Sequence, residues 1–91
     1  LEGKGVSMSD LEFDVLDELY FVTHFKELKN ATNLSVESLK STLTDLYRKG
    51  WLKVYESVAA EISDQQINLD HNFQNYFYLA SKEGLLAHNG R

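Results

Sequence analysis

The chain has 91 residues, enough for one small domain with a single core. Its 43% aliphatic and aromatic content and 25% charged content are those of an ordinary folded globular chain, and its net charge is −5. The absence of cysteine excludes disulfides and thiolate metal sites, and no apolar stretch is long enough for a membrane-spanning helix. With no basic-then-apolar leader either, the expectation is a cytoplasmic protein with no membrane partner.

Residues 1–8 contain two glycines and no periodicity. They are expected to be a disordered N-terminal segment, either a remnant of expression or the tail of an upstream segment, with 9–91 forming one domain. Ser9-Asp10-Leu11-Glu12 reads as a capping box, in which the serine hydroxyl accepts an amide hydrogen bond and the glutamate reaches back. Leu11, Val15, Leu16, Leu19 and Val22 recur at three and four residues and predict a helix over 9–22. Glu12, Asp14, Asp17 and Glu18 fall mainly on its solvent side. Thr23 can cap a second helix over 24–31, with Phe25, Leu28 and Ala31 facing inward.

Asn33 sits at the following turn, where its tolerance of left-handed backbone is useful, and Leu34 is expected to plug that turn into the core. Ser35 caps a third helix whose buried stripe is Val36, Leu39, Leu43 and Leu46, and Gly50 ends it just after Arg48 and Lys49. Trp51 to Glu56 alternates as a strand does. The polar stretch 57–72 is ambiguous. Residues 73–79 read as a returning strand, and Ser81 caps a last helix over 81–88 that Leu85 and Leu86 anchor. The expected core is Leu16, Leu19, Leu28, Leu39, Leu43, Leu46, Trp51, Leu52 and Leu79.

Two runs, Thr23 to Trp51 and Tyr76 to Gly84, together resemble the winged helix-turn-helix domain of MarR-, PadR- and ArsR-type transcriptional regulators. The resemblance implies an α+β fold with a three-helix core, a two-stranded β-wing and a short C-terminal helix. It also implies a DNA-binding transcriptional regulator, bacterial and homodimeric, that places helix 35–49 in the major groove of double-stranded DNA. Ser38, Lys40, Ser41 and Thr44 would then face DNA with Arg48 near the backbone, and Lys49 completes the DNA-binding set. No cofactor and no metal are expected, because His24, His71 and His88 have no ligand spacing. No enzyme is expected either, since no nucleophile–base order and no phosphate-binding glycine loop is present.

Charge favours a rival reading. Residues 35–50 are among the least acidic parts of the chain, yet no Lys or Arg occurs between Glu56 and Asp70, the span of the wing. An acidic wing is repelled by phosphate, so the alternative is a winged helix used as a protein–protein interaction module with a protein partner. Trp51, Tyr55, Tyr76, Phe77 and Tyr78 form an aromatic cluster. It reads first as cross-strand packing, with Tyr76 and Tyr78 on one face, and second as a partner or ligand surface.

Overall fold

The computed structural model describes residues 7–91. The helices are α1 (Asp10–Asp17), α2 (Phe25–Thr32), α3 (Val36–Arg48), α4 (Leu69–Asn72) and α5 (Lys82–Asn89). The strands are β1 (Thr23–His24), β2 (Leu52–Ser57), β3 (Ala60–Glu61) and β4 (Phe77–Ala80). They form one antiparallel sheet in the order β1-β4-β2-β3, which makes the domain α+β. The segment 1–6, most of the expected N-terminal tail, lies outside the described residues.

Local signals set most of the element starts. Ser9 and Glu12 make the reciprocal capping box, the Ser35 hydroxyl accepts from the Ser38 amide, and the Ser81 hydroxyl accepts from the Gly84 amide. Asn33 ends α2 at φ 58°, a left-handed conformation that asparagine adopts more readily than most residues. Gly50 follows α3 at φ 78° and turns the chain into β2.

The core lies between the helices and one face of the sheet. Leu16, Leu19, Leu28, Leu39 and Leu46 are completely buried, joined by Val15, Phe25, Leu43, Val54 and Tyr78. Each buried aliphatic side chain removes enough apolar surface from water to contribute about 1.5–3 kcal/mol. Trp51 and Leu52 join this core as expected, whereas Leu79 does not: along β4 it alternates with buried Tyr78 and Ala80, and so takes the outer face.

Several expectations need correction. The first helix stops at Asp17 rather than at 22. Its last amides bond three residues back, Glu18 to Val15 and Leu19 to Leu16, and the Leu19 carbonyl then accepts from Ala80 of β4. Tertiary hydrogen bonding thus ends the apolar repeat early, and leaves Phe21 82% exposed and Val22 half-buried in the connection to β1. Thr23 is a strand residue whose hydroxyl donates to the Phe21 carbonyl, and His24 caps α2 in its place by accepting from the Lys26 amide. Ala31, Leu11 and Leu86 are exposed rather than inward.

The returning strand begins at Phe77, because Phe73–Asn75 form a 3-10 turn. The ambiguous stretch 57–72 contains β3, a 3-10 turn at Asp64–Gln66 and α4. Hydroxyls from the body hold it down. Tyr47 donates to Asp64 at 2.9 Å, Tyr76 accepts from the Asn68 amide at 3.1 Å, and Tyr78 donates to the Phe73 carbonyl at 2.7 Å. Burial pushes the Tyr78 hydroxyl far above the ordinary tyrosine range. Burial, the Asp64 hydrogen bond and the Asp64 charge push Tyr47 up too. Both hydroxyls therefore stay protonated as donors.

Candidate nucleic-acid interface

The α3 sequence divides its residues by helical period. Leu39, Thr42, Leu43 and Leu46 face the core, while Glu37, Ser41, Asp45 and Arg48 are exposed. Ser38, Lys40 and Thr44 are half-buried along the edges of that exposed face. Ser38, Lys40, Ser41, Thr44 and Arg48 thus share one side of α3, a mixed hydroxyl and charged surface. Thr44 commits its hydroxyl proton to the Lys40 carbonyl at 2.8 Å and keeps lone pairs for an incoming donor.

The cations differ in availability. Lys40 lies 3.6 Å from Asp70 of α4 and 5.0 Å above the Phe73 ring. Both partners of that ion pair are solvent-accessible, so the pair is weak and exchangeable. Arg48 is in no ion pair among the described residues, and it borders an open groove of about 430 Å³ floored by Leu52, Val54, Ile62 and Ile67.

Lys49 turns away from this face. Its ammonium bonds both oxygens of Glu12 at 2.7 Å and the Ser7 carbonyl at 2.9 Å, and it sits 5.1 Å over the Trp51 ring. Glu12, expected on the solvent side of the first helix, is only 2% exposed. Burial pushes its carboxyl up. The Lys49 hydrogen bond and charge, with the Ser9 hydrogen bonds, outweigh that and hold it below its ordinary value. The capping spacing of Ser9 and Glu12 was visible in the sequence, but nothing local announces a partner 37 positions away.

Three acids of the segment over 56–70 have side-chain partners in the body of the domain. Glu61 lies 3.7 Å from Lys53, Asp64 accepts from Tyr47, and Asp70 meets Lys40. Each of these carboxylates is engaged by a side chain of β2 or α3. The partners Tyr47 and Lys53 were not singled out in the sequence.

The histidines serve separate ends of the fold: His24 caps α2, His71 is exposed on α4, and His88 is buried in α5. Among the described residues no group of three or more His, Asp or Glu side chains is placed to hold a metal ion. No described helix is long and apolar enough to cross a membrane. Comparison with family models, with curated proteins and with solved structures finds no match to this chain.

Proposed function

We propose that the domain is a winged helix-turn-helix module of the transcriptional-regulator kind, acting as a homodimer in a bacterial cytoplasm, that docks the exposed face of α3 in the major groove of duplex DNA. Support for the fold comes from α1 packed against α2 and α3, α3 against β2 of the antiparallel β2–β4 pair, α2 against β1, α5 closing the chain, and a tight Asn33 turn between α2 and α3. The observation that carries the DNA reading is the solvent face of α3, where Ser41 and Arg48 are exposed beside Ser38, Lys40 and Thr44.

Hydroxyls on such a helix meet phosphates and base edges, and an arginine fork suits guanine or a phosphate. Lys40 exchanges its weak Asp70 contact for a phosphate. With Lys26 and Lys29 of α2, four cations are then available per subunit, and Lys49 is replaced in the set because Glu12 holds it. Four phosphate contacts give a log–log salt slope of roughly −4, or about −8 for a dimer.

The test is fluorescence anisotropy of the domain with random duplex DNA at two salt concentrations, with the Lys40→Ala/Arg48→Ala double variant alongside. Micromolar, salt-sensitive binding that the double variant weakens supports the reading. Unchanged affinity in the double variant sinks it.

A protein–protein interaction module is the second reading. It is favoured by the net charge of −5 and by the exposed apolar side chains of Phe21, Leu86 and Val58. Failure to bind duplex DNA even at low salt selects it.

A further inference from the structure

The groove that Arg48 borders lies where β3 falls short along β2. Val54 turns its backbone toward β3, and its carbonyl accepts from the Ile62 amide at 2.9 Å. Leu52 is two residues earlier on the same strand, so its amide and carbonyl point the same way. The far side of the strand agrees. Leu52 stands opposite Ala80, whose amide donates to the Leu19 carbonyl and not to β2. β3 ends at Glu61 and the chain then turns at Asp64–Gln66, so no strand residue stands opposite Leu52. One amide and one carbonyl of β2 are left facing the groove.

Leu52, Val54, Ile62 and Ile67 make its floor wholly aliphatic, and its volume of about 430 Å³ is that of a small-molecule site. Arg48, Lys53, Glu61 and Asp64 also line it, and they are not equally engaged. Lys53 and Glu61 lie 3.7 Å apart and pair with each other. Asp64 accepts from the Tyr47 hydroxyl, a neutral partner that leaves its charge uncompensated. Arg48 is exposed and, among the described residues, pairs with none of the acids. An open cation and an open anion thus stand at the rim of an aliphatic trough that has a strand edge in its wall. A lone anion satisfies Arg48 but is repelled by Asp64, and a lone cation meets the reverse. A ligand with both charges, aliphatic side chains and a peptide group of its own answers every feature.

We propose that this groove binds a short zwitterionic peptide, of about dipeptide size, with aliphatic side chains: the terminal carboxylate meets Arg48, the terminal ammonium meets Asp64, and the peptide group pairs with Leu52 at the open edge of β2. The inference does not rest on DNA docking by α3, and its test contains no DNA.

NMR titration of the isotope-labelled full chain with L-leucyl-L-leucine at about pH 6.5 tests it. The peptide amine, whose pKa is about 8, is protonated there. N-acetyl-leucyl-leucine removes the ammonium and leucyl-leucinamide removes the carboxylate, with the aliphatic side chains unchanged. Leucyl-leucine should give saturable shifts at Leu52, Val54, Ile62 and Ile67 with a Kd of about 1 mM or below. Each blocked peptide should bind roughly three- to ten-fold more weakly. Arg48→Gln should remove the penalty for amidation and keep that for acetylation. Asp64→Asn, which retains an acceptor for Tyr47, should do the converse. Both residues are exposed, so neither replacement opens the core. Absence of saturable shifts in the groove, blocked peptides that bind as tightly as the free one, or variants that keep both penalties overturn the proposal.

Discussion

Replacing Lys49 by methionine isolates the buried contact between the start of α1 and the end of α3. Methionine keeps most of the aliphatic stem over Trp51 but removes the ammonium, which leaves the Glu12 carboxylate with the Ser9 amide as its remaining backbone donor. Breaking one side of a buried ion pair costs about 3–5 kcal/mol. The Lys49 side chain is 25% exposed, so water can reach part of the vacated space. The expected loss is therefore lower, about 2–3 kcal/mol, or a drop in Tm of roughly 10–20 °C for a domain of this size.

Urea denaturation at neutral pH measures the loss directly. The cycle of Lys49→Met, Glu12→Gln and the double variant separates the pair from its surroundings, with an expected coupling of at least about 1 kcal/mol. A Lys49→Met variant within about 0.5 kcal/mol of the parent, with unchanged m-value, would refute the argument that this pair joins the two helices.

Other expectations bear on the same framework. The Glu12 carboxyl is held below its ordinary 4.5, so its contribution is complete above that pH and lost as pH falls through the lower, folded-state value. Glu12→Gln should accordingly flatten the acid limb of a stability–pH profile. A Cβ on Gly84 would stand 2.3 Å from the Trp51 carbonyl oxygen, so Gly84→Ala should cost about 2–3 kcal/mol in urea denaturation by forcing α5 away from the start of β2. Tyr78→Phe leaves the Phe73 carbonyl without its buried donor, and should lower stability by about 1–2 kcal/mol and speed proteolysis within 57–76.

What the sequence revealed follows from how far each signal reaches. Caps act over three residues and helical stripes over three or four. The starts at Ser9, Ser35 and Ser81, the turn at Asn33 and the Leu39–Leu43–Leu46 stripe were therefore all legible. Where a distant partner intervenes, local reading fails. The first helix ends early because Ala80 takes the Leu19 carbonyl, and Glu12 is buried because Lys49 arrives from the far end of α3. Leu86 and Leu79 were assigned inward on hydrophobicity, but the orientations of α5 and β4 turn both outward. For the candidate interface, residue type and periodicity placed Ser41 and Arg48 on the solvent face of α3. They could not distinguish Lys40, with its exchangeable partner, from Lys49, whose ammonium is committed. Nor could they show that Tyr47, Lys53 and Lys40 reach the acids of the following segment.

The position of β4 in the sheet has a consequence for biosynthesis. This strand lies between β1 and β2 and holds Thr23 on one side and Val54 on the other through Tyr78, yet it follows both of them in the chain, more than 50 residues after β1. The three helices and β2 can emerge with their apolar faces matched in pattern, but without the strand that bridges β1 to β2. Closure must await β4, so the sheet should form only once residues 77–80 have been made. Until then the nascent chain presents the unpaired flank of β2 to the cell, and a chaperone that covers Trp51 to Tyr55 would find its best opportunity in that interval.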